Sequence, residues 1–146
     1  VTLCNTGMAN PLAEFGRCRL ATVAAGAELR IGDDVGMSSV TIACANKIEI
    51  GEGTQIGAGV MILDTDFHQR ESDGTWGTNP TAVSAPVSIG KHCFIGARST
   101  LLKGISIGNG AVIGAGAVVT RDVPCGEMWA GNPAHKISTE QYLDLD

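Results

Sequence analysis

From Val83 onward an aliphatic residue returns at every sixth position, through Val83, Ile89, Ile95, Leu101, Ile107, Ile113 and Val119. A period of six matches neither the 3.6-residue repeat of an α-helix nor the two-residue alternation of one long strand, but it suits short strands separated by turns. The residue after the aliphatic is glycine at Gly90, Gly96, Gly108 and Gly114. The fifth position is small or aliphatic throughout, at Val87, Cys93, Ser99, Ile105, Ala111, Ala117 and Val123. Each hexad is therefore expected to form one side of a triangular coil, and stacking of coils to bury the aliphatic row as a continuous column. An earlier block has the same habit, with Ile31, Met37 and Ala43 followed, after a seven-residue step, by Ile50, Ile56 and Ile62. Between Ile62 and Val83 the repeat stops, and a loop is expected there.

A stack of short strands and tight turns accounts for the composition. Glycine supplies 20 of 146 residues, about twice the ordinary usage of roughly 7%. Phe 3, Trp 2 and Tyr 1 are too few for a core of large rings. Buried aliphatics take their place, each contributing about 1.5–3 kcal/mol before chain entropy is subtracted. The formal net charge of -5 and the lack of any basic run argue against a nucleic-acid surface, which needs clustered Lys and Arg. No apolar run reaches the roughly 18 residues of a membrane span, and no signal-peptide pattern is present, so a cytoplasmic location is the default expectation. Five cysteines, widely spaced and without a C-x-x-C, suit reduced thiols. His68, His92 and His135 are too scattered for a zinc site, so no metal is expected.

The hexads, followed by Thr120-Arg121-Asp122-Val123-Pro124 and Ala130-Gly131-Asn132-Pro133-Ala134, resemble the hexapeptide-repeat acyltransferases. Within them the chain looks most like the maltose and galactoside O-acetyltransferases and their capsule and lipopolysaccharide relatives. The resemblance implies an all-β fold, a left-handed parallel β-helix (hexapeptide-repeat solenoid) with an extruded loop and a short C-terminal tail, an exception to the right-handed crossover rule. It also implies a homotrimer with active sites between adjacent subunits. On this pattern 1–146 is a single acyltransferase domain, with coils at about 18–68 and 83–124, the loop at about 69–86, and the CoA end and tail at 125–146.

His68 closes the segment Ile62-Leu63-Asp64-Thr65-Asp66-Phe67-His68 and matches the family's general base. Acetyl transfer from a thioester to a hydroxyl needs a group of near-neutral pKa to take the hydroxyl proton, and imidazole suits that task. Neither Asp64 nor Asp66 is assigned to orient the ring. The loop is rich in turn formers, and Trp76 within it either offers an apolar face to a sugar or anchors the loop. For the donor, acetyl-CoA, the family pattern falls on Ala97 near the thioester and Ala115 along the pantetheine. Thr120 and Arg121 match the family's Thr-Lys or Thr-Arg pair, with Arg121 toward the CoA phosphates. Pro133 matches the residue near adenine, and His135 a basic phosphate contact for which Lys136 can substitute. Phe94 stands where this group commonly has tryptophan. The Asn-x-Asn element that touches sugar in the maltose and galactoside enzymes is Met37-Ser38-Ser39 here, leaving Ser39 as a candidate for an acceptor hydroxyl.

The resemblance thus implies an acetyl-CoA-dependent O-acetyltransferase acting on a hydroxyl of a saccharide or related small acceptor. No G-x-S-x-G element is present, consistent with direct transfer in a ternary complex rather than through an acyl-enzyme. Two other possibilities are an N-acyltransferase of an amino sugar or nucleotide sugar, and a non-enzymatic β-helix module. No nucleotide-binding domain of the kind common in the nucleotide-sugar enzymes is visible before Ile31, which favours the hydroxyl acceptor.

Overall fold

The computed structural model describes residues 1–4 and 16–137, with the backbone alone at 2–4. The lower coils contain β1 (Thr2–Cys4), β2 (Arg19–Thr22), β3 (Glu28–Ile31), β4 (Gly36–Ser38), β5 (Thr41–Cys44), β6 (Lys47–Ile50), β7 (Gln55–Ile56) and β8 (Met61–Leu63). An excursion carries β9 (His68–Arg70) and β10 (Trp76–Thr78). The upper coils contain β11 (Val87–Ile89), β12 (Phe94–Ile95), β13 (Thr100–Leu101), β14 (Ser106–Ile107), β15 (Val112–Ile113), β16 (Val118–Val119), β17 (Met128–Ala130) and β18 (His135–Lys136). No helix occurs among the described residues.

The coil strands form three sheets: a first face β1-β4-β7-β12-β15-β17-β18, a second face β2-β5-β8-β13-β16, and a third face β3-β6-β11-β14. Their pairings are parallel except where β18 folds back on β17. The chain visits the second, third and first faces in turn, so successive members of the sixfold row land on successive faces. The row becomes three columns rather than one. Ile50, Ile89 and Ile107 stack on the third face, Ile56, Ile95 and Ile113 on the first, and Ile62, Leu101 and Val119 on the second. All nine are buried, as is every member of the fifth-position row from Val87 to Val123.

Two members of the expected row fall outside it. Val83 is only partly buried and lies in a turn of the excursion, so the upper columns begin at Val87 and Ile89. Ala43 is also partly buried, because β5 has four residues and turns Ile42 and Cys44 inward, with Ile42 opposite Ile62. At the top, Val123 bridges Ile107 and Trp129 stands opposite Ile113, so the Thr120–Asp122 corner is shorter than a full hexad.

The glycines that follow the aliphatic residues serve close approach between coils. A Cβ on Gly96 would lie 2.5 Å from the Ala115 nitrogen, and one on Gly57 would lie 2.7 Å from the Ala97 nitrogen. Backbone is pressed on backbone along that corner.

Coil strands stop at Leu63 and resume at Val87. Between them β9 and β10 pair as an antiparallel hairpin. Its base is tied down by an antiparallel bridge between Thr65 and Ser84 and by the Thr65 hydroxyl donating to the Pro80 carbonyl at 2.6 Å. Lys103 reaches across from the next coil, its ammonium 2.5 Å from the Asp66 carboxylate and 2.9 Å from the Val83 carbonyl. Cys18, Cys44, Cys93 and Cys125 take part in no disulfide among the described residues. The Cys4 side chain and residues 138–146 of the tail lie outside the described residues.

Candidate active site

His68 is the first residue of β9 and is exposed. It pairs across the hairpin with Thr78, and Arg70 pairs with Trp76. Because side chains two apart on a strand share a face, His68, Arg70, Trp76 and Thr78 all project from one side of the hairpin. The diagonal from His68 to Trp76 is about 7–8 Å for such a pairing. Trp76 is 70% exposed in the single chain. The Thr78 hydroxyl lies 3.2 Å from His68 Nδ1. Asp64 and Asp66 are engaged elsewhere. Asp64 is buried and accepts the backbone N–H groups of Ala45 and Asn46, both at 2.7 Å. Asp66 faces Lys103, although its carbonyl accepts the His68 N–H at 2.7 Å. Thr78 escaped the sequence reading: counting from Asp73-Gly74 as a two-residue hairpin turn puts Asn79 opposite His68, one residue off the observed Thr78. That turn is closed by Asp73, which accepts both the backbone N–H and the hydroxyl of Thr75. These bonds hold the Asp73 carboxyl below its usual range.

Ala97, Ala115 and Pro133 fall along the corner between the first and second faces. Gly116 donates to the Ala97 carbonyl at 2.8 Å, and the 131–134 turn lies over the next coil through Val118 N–H to the Gly131 carbonyl and Ala134 N–H to the Val118 carbonyl. Thr120 and Arg121, both exposed, follow β16 at the far edge of the second face. They bound the same face as the alanine corner. His135 is exposed, its Nδ1 3.3 Å from the Pro133 carbonyl. Lys136 is tied to Glu127 at 2.7 Å, and Glu127 also accepts the Trp129 indole N–H at 2.8 Å. Those two donors, Lys136 first, hold the Glu127 carboxyl below its usual range. Arg121 forms no ion pair among the described residues.

Phe94 is 54% exposed on the outside of the first face, between Gln55 and Val112 on the neighbouring strands. It does not join Ser39. Ser39 is buried, has φ 52, and donates its hydroxyl to the Gly16 carbonyl at 2.6 Å. It borders a cleft of about 330 Å³ lined by Arg17, Arg19, Ser39, Thr41, Gly59 and Met61. Apart from Ser39, the cleft residues carry no motif, and only the stacking of three coils assembles them. Among the described residues no group of three His, Cys, Asp or Glu side chains is arranged to hold a metal ion. No helix among them is long and apolar enough to cross a membrane.

Three parallel sheets wound on a six-residue period, with a histidine-bearing hairpin thrown out from one coil, define the hexapeptide-repeat class of left-handed parallel β-helix. The family model described as "Hexapeptide repeat of succinyl-transferase" matches residues 86–121. YvoF of Bacillus subtilis (strain 168), an acetyltransferase by name, is 37% identical over 97 residues, covering 66% of this chain and 51% of YvoF. Among solved structures, the polysialic acid O-acetyltransferase OatWY is 26% identical with a TM-score of 0.70, over 83% of this chain and 58% of that one. A galactoside acetyltransferase in complex with coenzyme A is 25% identical with a TM-score of 0.63, over 82% and 64%. The resemblance drawn from the hexads and the two C-terminal motifs is borne out, and so is the fold class. The chain spans about half the length of YvoF and less than two thirds of either solved structure.

Proposed function

We propose that this protein is an acetyl-CoA-dependent O-acetyltransferase whose acceptor is a hydroxyl of a saccharide or related small molecule. The observation that carries this function is the exposed His68, held at Nδ1 by Thr78 on the same hairpin face as Trp76 and rooted in a solenoid similar to a coenzyme A-bound acetyltransferase. With Nδ1–H donating to the Thr78 hydroxyl, Nε2 is the nitrogen that accepts a proton. It takes the acceptor hydroxyl's proton as that oxygen attacks the thioester carbonyl. The tetrahedral intermediate collapses with release of CoA thiolate, which recovers the proton from the imidazolium. Ester and free thiol are the products, and no enzyme nucleophile is consumed. The donor lies along the Ala97–Ala115 corner with Pro133 toward its adenine and Thr120 and Arg121 toward its phosphates. Of the two further basic candidates, His135 is the freer, since Lys136 is already paired with Glu127. The protein works as a homotrimer, and Phe94 and Trp76 line the approach of the acceptor.

Thiol release from acetyl-CoA, followed across sugars, uronic acids and amino sugars, tests the activity. The acetyl group of the product should be removed by mild alkali, as an ester is; an alkali-stable acetamide would assign the enzyme to amines. His68→Ala should lower kcat by about 10²–10⁴-fold, the usual contribution of a general base, with acetyl-CoA binding retained. Near-normal turnover in that variant would remove His68 from the mechanism, and failure to bind acetyl-CoA at all would make the solenoid a non-enzymatic module.

A further inference from the structure

We infer that the cleft at the lower end of the second face is a carboxylate site, and that the acceptor is an acidic saccharide whose carboxylate is received by Arg17 and Arg19. This identification of the acceptor rests on the acetyl-transfer activity proposed above. The cleft is lined by two arginines, by Thr41 and by Met61, and among the described residues no acidic residue lines it. That charge runs against the molecule, in which 15 acidic residues face 10 basic ones. All four lysines and Arg30 are in ion pairs, whereas Arg17 and Arg19, like Arg70 and Arg121, form none among the described residues.

The arginines are presented from a pinned backbone. The Ser39 hydroxyl donates to the Gly16 carbonyl at 2.6 Å, and the Arg19 N–H donates to the Val40 carbonyl at 2.8 Å. Ser39 therefore fixes the segment that carries the arginines, and its proton is already committed. Guanidinium forks match a planar carboxylate with two parallel donors. The 42% exposed Met61 gives a sugar ring an apolar surface beside them.

Position separates this anion from the donor's phosphates. Thr41 and Met61 are direct partners in the β5–β8 pairing, on the second face just past Gly59. Gly59 sits at the same corner as Ala97, one coil lower, since Arg98 donates to the Ala58 carbonyl. Coils are about 4.8 Å apart in the hydrogen-bonding direction. The cleft is thus next to the thioester end of the donor groove. Arg121 follows β16, two strands farther up the same face.

Two matched pairs, methyl glucoside with methyl glucuronide and methyl galactoside with methyl galacturonide, test the inference together with glucose 6-phosphate. Binding is measured calorimetrically at low salt without donor, on wild type, on Arg17→Gln/Arg19→Gln and on His68→Ala. The carboxylated member of at least one pair should bind about tenfold tighter than its neutral twin, as charge-assisted bidentate bonds allow, with the preference falling under about twofold in the double variant. It should persist in His68→Ala, and unfolding of the double variant should match wild type. Absence of the preference, its survival without the arginines, or tighter binding of glucose 6-phosphate than of the uronides would overturn the carboxylate site. So would loss of acetyl-CoA binding in the double variant, which would put the donor's phosphates in the cleft. Arginine-dependent uronide binding with no acetyl transfer would uphold the site and overturn the catalytic function alone.

Discussion

A general base is only as useful as its orientation, and His68 in its proposed role takes that orientation from Thr78 at 3.2 Å rather than from a carboxylate. A hydroxyl partner fixes the ring without the charge stabilisation an aspartate would give to the imidazolium. Thr78→Val should therefore lower kcat about 5–10-fold, the worth of one ordinary hydrogen bond, and leave the KM for acetyl-CoA unchanged. Thr78→Ser should restore kcat. A parallel rise in KM, or no rescue by serine, would make the residue part of the hairpin's framework only. His68 itself was legible in the sequence because it closes a motif that resembles a family's. Thr78 was not, since its role comes from cross-strand register. Arg17 and Arg19 were illegible for a related reason: β2, β5 and β8 bring them to Thr41 and Met61 across gaps of about 20 residues in the chain.

At the scale of the element, the hexad sets how tightly coils pack and where they tolerate change. Gly96→Ala places a Cβ 2.5 Å from a backbone nitrogen that cannot move aside, and overpacking of this kind costs about 1–3 kcal/mol or more. Gly116→Ala meets no atom within 4 Å but has φ 70, so its cost is the left-handed backbone alone, about 1–2 kcal/mol. Thermal unfolding should rank Gly96→Ala as the more damaging, and the reverse order would mean the coils do not press together at that corner. Cys44, fully buried on β5, has its thiol pushed up from 9.0 to about 11, chiefly by burial and next by the adjacent Asp64. Below pH 9 the thiol is protonated in both folded and unfolded chains. Between pH 9 and about 11 the unfolded chain ionises while the folded one does not, so stability falls as pH rises through that window. Cys44→Ala should unfold with a shallower alkaline decline than wild type, and an equal decline would assign the effect to other groups. The same strand shows what periodicity leaves out. Six-residue spacing alone cannot reveal that β5 is four residues long, so Ala43 looked like the core position that Ile42 and Cys44 share. Val83 fitted the spacing by coincidence of sequence, while its place was decided by the hairpin base around Thr65, Ser84 and Lys103.

The whole molecule is a three-sided prism, and its outer surface leaves Trp76, Phe94 and Met61 70%, 54% and 42% exposed. The hairpin projects from one edge, carrying His68 away from the coils that hold the donor-groove candidates Ala97 and Ala115. The family resemblance implies a homotrimer in which the proposed base of one subunit serves the groove of the next, and a projecting hairpin supports that proposal. Light scattering at micromolar concentration should give the mass of three chains. Complementation tests the sharing of the site more directly. His68→Ala removes the base and leaves the groove open; Ala115→Trp fills the groove and leaves the base intact. Each variant alone should be inactive. When the two are co-refolded at equal amounts, an ordered pair of neighbours combines an intact His68 with an intact Ala115 in about one case in four, so about a quarter of wild-type activity should return. If base and groove belonged to the same chain, every site in the mixed trimer would carry one lesion and no activity would return.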